Sequence, residues 1–481
     1  MGLRPNFEST SNRLLKLSED RQTTRINFSG ESSLLDYSLF LPLVAFATKI
    51  NNFGGVLMQI GIAISIFIFS YFFIITEKVP RAVTAVFGAS LLIILGVLTQ
   101  DKAIHHIDWN TLGLLIGMMI IVDLTRRSGV FAFLAIWVSK KVKGDPLLLM
   151  LSLSLLTAFI SALLDNVTTV LLIVPIALSI AEQLEVDPTP FLFSQIIMSN
   201  IGGTATLIGD PPNIMIAGQT GLSFMDFILN LAPVVLVIMA VTLYIFYLIY
   251  RRKLVTKEEL KAKLRIQNEW DHIKDFALLK KSLLVLSIVI LGFSLHSVLH
   301  LETATIALGG AMLLMILAHE EPEDVFLSIE WPTLFFFAGL FVLVGGLIEV
   351  GVLDRLAEWS MGLTQGDPLL MVLLILVISA LLSSFLDNIP YVATMIPLIQ
   401  KLALLSQLTP AQTQPLWWAL ALGSCLGGNG TLVGASANLI VAGIAEKNGT
   451  KIRYIQFLKV GFPLMILSVV ISAVYLVIRY Y

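Results

Sequence analysis

An Asp-Asn pair occurs twice in this chain, each time inside otherwise apolar sequence, and both occurrences sit in register with their surroundings. Ser161-Ala162-Leu163-Leu164-Asp165-Asn166 returns as Ser383-Ser384-Phe385-Leu386-Asp387-Asn388, a shift of 387 − 165 = 222 residues. Gly144-Asp145-Pro146 and Gly366-Asp367-Pro368 obey the same shift, as do Asp108-Trp109 and Glu330-Trp331, and Pro175 and Pro397. One segment has been duplicated, and both copies keep an ionisable group in apolar surroundings. Charged residues make up 13% of the chain and hydrophobic ones 57%, with a mean hydropathy of +0.88. Soluble domains carry about 25% charged residues, so most of this chain must face lipid or other helices. A charge at membrane depth costs from about 2.5 to more than about 10 kcal/mol depending on the measure, so its presence marks a path for an ion or solute.

The remaining composition excludes several classes. The net charge is −2 and no basic tract suits nucleic acid. A single cysteine, Cys425, rules out an internal disulfide framework and argues against a cysteine-ligated metal site. No nucleophile–base pair or metal cluster falls at membrane depth, so an enzyme has nothing to act with. No cofactor is implied beyond a coupling Na⁺ or H⁺. The chain lacks an ATP-binding motif, so any ATP coupling requires a separate ATPase partner. Residues 1–33 are polar and of mixed charge, without the apolar run of a signal peptide. They read as a cytoplasmic tail on a multi-pass protein of the plasma (inner) membrane.

A helix needs about 20 apolar residues to cross a bilayer. Runs near 55–76, 82–99, 109–125, 226–250, 279–299, 302–319, 331–349 and 457–480 qualify, and 34–50, within the segment 34–54, reads as an additional first crossing. The stretches 147–183 and 368–405 are too long for one span and are interrupted near the middle by the Asp-Asn pairs. A re-entrant helical hairpin with Asp-Asn at its tip fits each of them; an ordinary pair of crossings is the alternative. The helices 190–217 and 415–445 are broken by Gly202 to Asn213 and by Gly427 to Asn438, related by a shift of 225. Glycine and proline at this density cannot sustain an α-helix, and unwound backbone at membrane depth survives only where protein or a water-filled cavity satisfies it. Close helix packing explains the glycines, but not Asp210, Asn213, Asn429 and Asn438 among them.

The stretch 251–281 carries Arg251, Arg252, Lys253 and seven further lysines and arginines, so the linker 251–278 is placed in the cytoplasm. Each repeat, 55–250 and 279–481, then holds five crossings and one hairpin. Five is odd, so the two copies lie antiparallel. The expected fold is an all-α polytopic membrane protein of two inverted repeats, with solute sites on discontinuous helices at the midplane. The first hairpin opens from the cytoplasm and the second from outside.

Sodium is satisfied by carboxylate, amide, hydroxyl and carbonyl oxygens. Asp165, Asn166, Thr168, Thr206, Asp210 and Asn213 offer these in repeat 1, and Asp387, Asn388, Asn429, Thr431 and Asn438 in repeat 2. Asp165, Asn166, Asp387 and Asn388 are the candidate Na⁺ ligands. Proton coupling is an alternative role for the aspartates, since a carboxyl deprived of water favours its neutral form. Helix capping at the hairpin tips is a third. The duplication is uneven: Asp210 aligns with Ala435, and Asp123, read as a further intramembrane acid, aligns with Gly345. No buried arginine or lysine is expected near these motifs, which weakens an anion reading.

The runs Leu164 to Thr169, Asn200 to Asn213, Asp387 to Pro390 and Gly427 to Asn438 resemble the ion transporter superfamily, in its ArsB/NhaD branch of citrate-transporter-like (CitMHS) permeases, the group that contains the melanosomal P protein. The match covers about residues 50–481, in order. The resemblance implies a dimerising scaffold domain and a transport domain that holds the hairpins and moves as an elevator. Members are assigned to arsenite efflux, Na⁺/H⁺ antiport, sodium-coupled citrate or dicarboxylate uptake, and anion conductance. Divalent-anion symporters of the superfamily carry Ser-Asn-Thr where this chain has Asp-Asn-Val and Asp-Asn-Ile, and the added acid favours cation or proton handling. Arsenite is best held by thiols or a small polar cavity, and Cys425 stands alone. The expected function is secondary active transport of small ions, Na⁺/H⁺-coupled, by a homodimer. The alternative is transport or conductance of an anion or small solute such as arsenite, citrate, a dicarboxylate or chloride.

Overall fold

The computed structural model describes residues 56–76 and 78–481. The predicted tail 1–33 and the predicted crossing 34–50 lie outside the described residues. In chain order the first repeat contains α1 (Val56–Thr76), α2 (Arg81–Ile94), α3 (Gln100–His106), α4 (Trp109–Arg127), α5 (Val130–Lys141), α6 (Pro146–Leu163), α7 (Asn166–Gln183), α8 (Thr189–Gly203), α9 (Pro211–Thr220) and α10 (Phe224–Tyr250). A linker helix, α11 (Glu258–Ile266), follows. The second repeat contains α12 (Phe276–Leu299), α13 (Thr303–Ala318), α14 (Pro322–Phe326), α15 (Trp331–Glu349), α16 (Val352–Thr364), α17 (Pro368–Phe385), α18 (Asn388–Leu405), α19 (Pro410–Gly427), α20 (Ser436–Lys447) and α21 (Tyr454–Tyr480). Ten of these helices are long and apolar enough to cross a membrane.

The duplicated motifs explain why the elements begin where they do. Gly144 and Gly366 take positive φ of 70° and 77°, which lets the chain turn sharply before each hairpin. Asp145 then accepts from the amides of Leu147 and Leu148 at 3.1 and 3.0 Å, and Asp367 from those of Leu369 and Leu370 at 2.8 and 3.2 Å. Pro146 and Pro368 occupy the first helical position, where a missing N–H costs nothing. The chain between α4 and α6, which carries no apolar run long enough to cross a bilayer, is largely the helix α5, and its counterpart is α16. Both are too short to cross a bilayer, so no span was legible there.

Packing is reciprocal between the repeats. α2 lies on α15 while α13 lies on α4, and α20 lies on α7 while α9 lies on α18. Each pair is the other with the copies exchanged, which is the pattern of a pseudo-two-fold axis. The hairpins enter from opposite faces. The base of the first lies at the basic linker: Lys261 Nζ is 3.9 Å from Asp145, Gln267 donates to Gln183 at 2.7 Å, and Thr256 donates to the Leu184 carbonyl at 2.6 Å. In the second hairpin, Gln400 donates to the Gln219 carbonyl at 3.3 Å, beside the start of α10. The linker follows the other end of α10, and 27 residues at 1.5 Å each make about 40 Å between them.

Close helix approach at the hairpins depends on glycine. A Cβ on Gly202 would strike the Ala158 backbone, and one on Gly427 would lie 2.7 Å from the Ala380 carbonyl. Ala158 and Ala380 are themselves related by the 222-residue shift. Gly202→Ala must therefore push α6 off α8. We expect a destabilisation of about 1–3 kcal/mol, the range for overpacking a filled core, measured as a lowered unfolding temperature in detergent. An unchanged temperature would show that the contact yields without cost.

Candidate functional site

Helix α8 stops at Gly203 and α9 resumes at Pro211, while α19 stops at Gly427 and α20 resumes at Ser436. Two asparagines close these breaks in the same way. Asn213 Nδ2 donates to the carbonyls of Thr204 and Thr206 at 3.2 and 2.8 Å, and Asn438 Nδ2 donates to those of Gly428 and Thr431 at 2.8 and 3.0 Å. Two threonines then fasten each break to its hairpin: Thr206 Oγ1 donates to the Ala162 carbonyl at 2.5 Å, and Thr431 Oγ1 to the Ser384 carbonyl. These four residues satisfy unwound backbone that would otherwise be buried without partners. Their predicted role as solute ligands must share them with this structural work.

The hairpin tips are capped by their aspartates. Asp165 accepts from the amide of Thr168 at 2.7 Å and from its hydroxyl at 2.5 Å. Asp387 accepts from the amide of Ile389 at 3.1 Å and from Ser436 Oγ at 2.5 Å. The adjacent asparagines turn inward. Asn166 Nδ2 donates to Asn200 Oδ1 at 3.1 Å, and Asn200 Nδ2 donates to Asn429 and Asn438 at 2.9 and 3.0 Å. Asn388 Nδ2 donates to both Asp210 oxygens, at 3.2 and 3.4 Å. The two tips and the two breaks therefore converge on one buried centre, and the hairpins end inside the protein. Of the candidate Na⁺ ligands, Asn388 is brought to a carboxylate at this centre, while Asn166 joins an all-amide cluster.

Asp210 differs from the other two aspartates. It stands at the N-cap position of α9, yet its side chain makes no capping hydrogen bond. It is fully buried, and its neighbours are the Asn388 amide and the Cys425 thiol, which also lies 3.6 Å from Asn213 Oδ1. No lysine or arginine among the described residues pairs with it. Asp165 and Asp387 both lie within its electrostatic reach. The pseudo-symmetric place of Asp210 is Ala435, and that of Asn200 is Cys425. One half of the centre is thus built of neutral amides, and the other holds a carboxyl and a thiol.

Three residues correct the sequence reading. Arg81, at the start of α2, puts Nη1 3.0 Å from Asp387 Oδ2 and 2.5 Å from Ser436 Oγ, so a basic side chain does reach the motifs. Its partner lies 306 residues away, and no local pattern reveals such a pairing. Asp123 is not a further acid of the centre; Arg126 at 2.5 Å and Arg127 at 2.8 Å neutralise it at the C-terminal end of α4. Asn200 belongs to the centre although the sequence shows it only as the first residue of a glycine-rich run. The signal available was an amide in the apolar run of α8, set against Cys425 in the other copy.

The pseudo-symmetry is broken in one respect. α15 packs on α18, and Tyr71 donates to the Pro390 carbonyl at 2.6 Å, so the second tip is held against its neighbours. Between the equivalent α4 and α7 lies a cavity of about 820 Å³, bounded by Asp123, Arg126 and Arg127 on α4 and by Thr168 and Leu172 on α7. His272 and Lys274 of the basic linker also line it, so the cavity joins that face to the tip of the first hairpin.

Comparison with known proteins gives this architecture its place. A family profile described as "Citrate transporter" (CitMHS) matches residues 71–423. The chain is 42% identical over 423 residues to the "46 kDa membrane protein" of Mycobacterium leprae, covering 87% of this chain and 98% of that one. It is 34% identical over 510 residues to the human P protein, covering 89% of this chain and 61% of that one. Among solved structures, the YdaH transporter of Alcanivorax borkumensis, described as having an unusual topology, shares the fold with a TM-score of 0.54 at 14% identity, over 78% of this chain and 87% of that one. With its duplicated all-helical architecture and these relatives, the chain belongs to the citrate transporter family of multi-pass membrane transporters.

Proposed function

We propose that the protein is a secondary active transporter that couples Na⁺ and H⁺ at Asp210 and moves its hairpins as an elevator. The observation that carries this reading is the charge balance of the centre: Asp165 and Asp387 both lie within electrostatic reach of Asp210, and among the described residues the guanidinium paired there, that of Arg81, is committed to Asp387. Asp165 is stabilised as a cap. Asp210 is left to take its countercharge from outside the protein, as a bound proton or a bound cation, and exchange of one for the other is antiport. The open cavity on the basic-linker face, against packed helices at the equivalent place, supports alternating access by exchange of the two conformations between repeats.

The test is purified protein in liposomes with an internal pH dye, with Na⁺, Li⁺, arsenite, citrate and chloride added outside in turn. A pH change driven by Na⁺ or Li⁺ alone is the expected result. Asp165→Asn is expected to keep it, because asparagine caps a helix about as well as aspartate; its loss in Asp165→Asn would move the coupling site to the first tip.

Arg81 favours a second reading, and the family description points the same way. A guanidinium beside the second tip is a ready partner for a carboxylate or oxyanion, and such a solute would displace Asp387 from it. A response to citrate or arsenite without Na⁺, lost in Arg81→Gln, would establish that reading in place of the first.

A further inference from the structure

We infer that the first repeat carries a binding slot for one acyl chain of an anionic phospholipid, behind hairpin 1. A groove of about 660 Å³ runs between α5, α6, α8 and α10, and its lining is almost wholly apolar. Trp137 and Phe159 stand at its rim, 42% and 65% exposed, so it opens toward the bilayer. Along α6 the groove extends from Ser152 to Ala162. That span of 162 − 152 = 10 residues is about 15 Å, half of a hydrocarbon core about 30 Å thick. The slot therefore has the depth of a single leaflet.

Its mouth lies at the basic-linker face, where Lys141 is exposed and belongs to none of the ion pairs among the described residues. Lys141 Nζ instead rests 5.5 Å from the Trp137 ring centroid. A cation on an aromatic shelf at the end of an apolar slot complements a phosphate headgroup whose chain enters the slot. The second repeat shows what the slot requires. The shift of 222 residues places Leu363 where Lys141 stands, and the shift of 230 that relates Pro233 to Pro463 places Phe462 where Ala232 stands. Ala232 lines the groove, whereas Phe462 is packed against the core. Repeat 2 keeps a smaller groove of about 230 Å³, lined by Trp359 and Leu374 where repeat 1 has Trp137 and Ser152, so the charge and the added room, and not the groove itself, are features of repeat 1. The inner end abuts Ala162 and Gly202, at the back of the hairpin tip and of the helix break, so a chain in the slot braces the first hairpin.

The experiment is native mass spectrometry of the delipidated full chain, titrated with dioleoyl phosphatidylglycerol and, separately, with dioleoyl phosphatidylcholine. The wild-type protein is expected to retain the anionic lipid about fivefold more tightly, the worth of one lysine near an anionic headgroup. Lys141→Leu, a change at an exposed position, should abolish that preference while leaving chain-dependent retention. Ala232→Phe, which copies repeat 2, should remove retention of both lipids. Equal retention of the two lipids by the wild type, or unchanged preference in Lys141→Leu, overturns the assignment. So does a wild-type dimer that retains neither lipid, because a second copy then covers the groove.

Discussion

Asp210→Asn is expected to reduce ion-driven transport to the level of empty liposomes while leaving the protein folded. The substitution is close to isosteric, and Asn388 and Cys425 remain beside it. What it removes is the capacity to exchange a proton for a cation. An unpaired carboxylate in a dry interior is expensive, so its replacement by a neutral amide should leave the unfolding temperature equal or higher. Loss of transport together with loss of stability would make Asp210 a structural residue. Retained transport would place the exchange elsewhere. The contrast with Asp165→Asn makes the experiment specific, since Asp165 holds a cap that asparagine also supplies.

The second large effect is expected at Asn200. Its amide donates to Asn429 and Asn438 and its carbonyl accepts from Asn166, so one side chain joins both breaks to the first tip. Asn200→Leu strips a partner from three fully or almost fully buried amides at once. Leaving a buried polar group unmade costs about 1–3 kcal/mol, whereas hydrogen bonds between membrane helices average nearer 0.6. Asn429 and Asn438 keep their bonds to backbone carbonyls, which limits the loss. A destabilisation of about 2–5 kcal/mol follows, and unfolding in detergent measures it. The site predicts transport loss as well, because the tips and breaks lose their common fastening. A stable, active Asn200→Leu would show that the amide cluster merely fills space.

Much of this fold is legible in the sequence because membrane insertion leaves few options for the backbone. Gly144-Asp145-Pro146 and its copy announce a helix start through turn, cap and first residue, and Asp165-Asn166 and its copy interrupt runs too long for one span. Most residues of the centre, though not Asn200 at the head of a glycine-rich run, are also legible one by one, as polar groups out of place in apolar sequence. Their partners are not. Asp165 and Asp387 read alike, yet one is held by its own hairpin and the other by Arg81 from a helix of the first repeat. Asp123 reads as an intramembrane acid because its neutralising arginines, three and four residues on, lie past the apolar run. Which acid lacks a partner is settled by contacts that span some 178 to 306 residues, as for Asn388 with Asp210 and Arg81 with Asp387. Local pattern carries no such information. The short helices α5 and α16 escaped for a different reason, since neither length nor periodicity marks a helix that lies beside the spans instead of crossing.

Antiport at Asp210 requires one carboxyl to trade a proton for a cation, and proton release reads that exchange without a membrane. Purified protein in weakly buffered detergent solution is titrated with Na⁺ or Li⁺ while pH is recorded. Saturable proton release is expected from the wild type, retained in Asp165→Asn and absent in Asp210→Asn. Release that persists in Asp210→Asn, or a wild type that binds no cation and releases nothing, would contradict antiport at this residue.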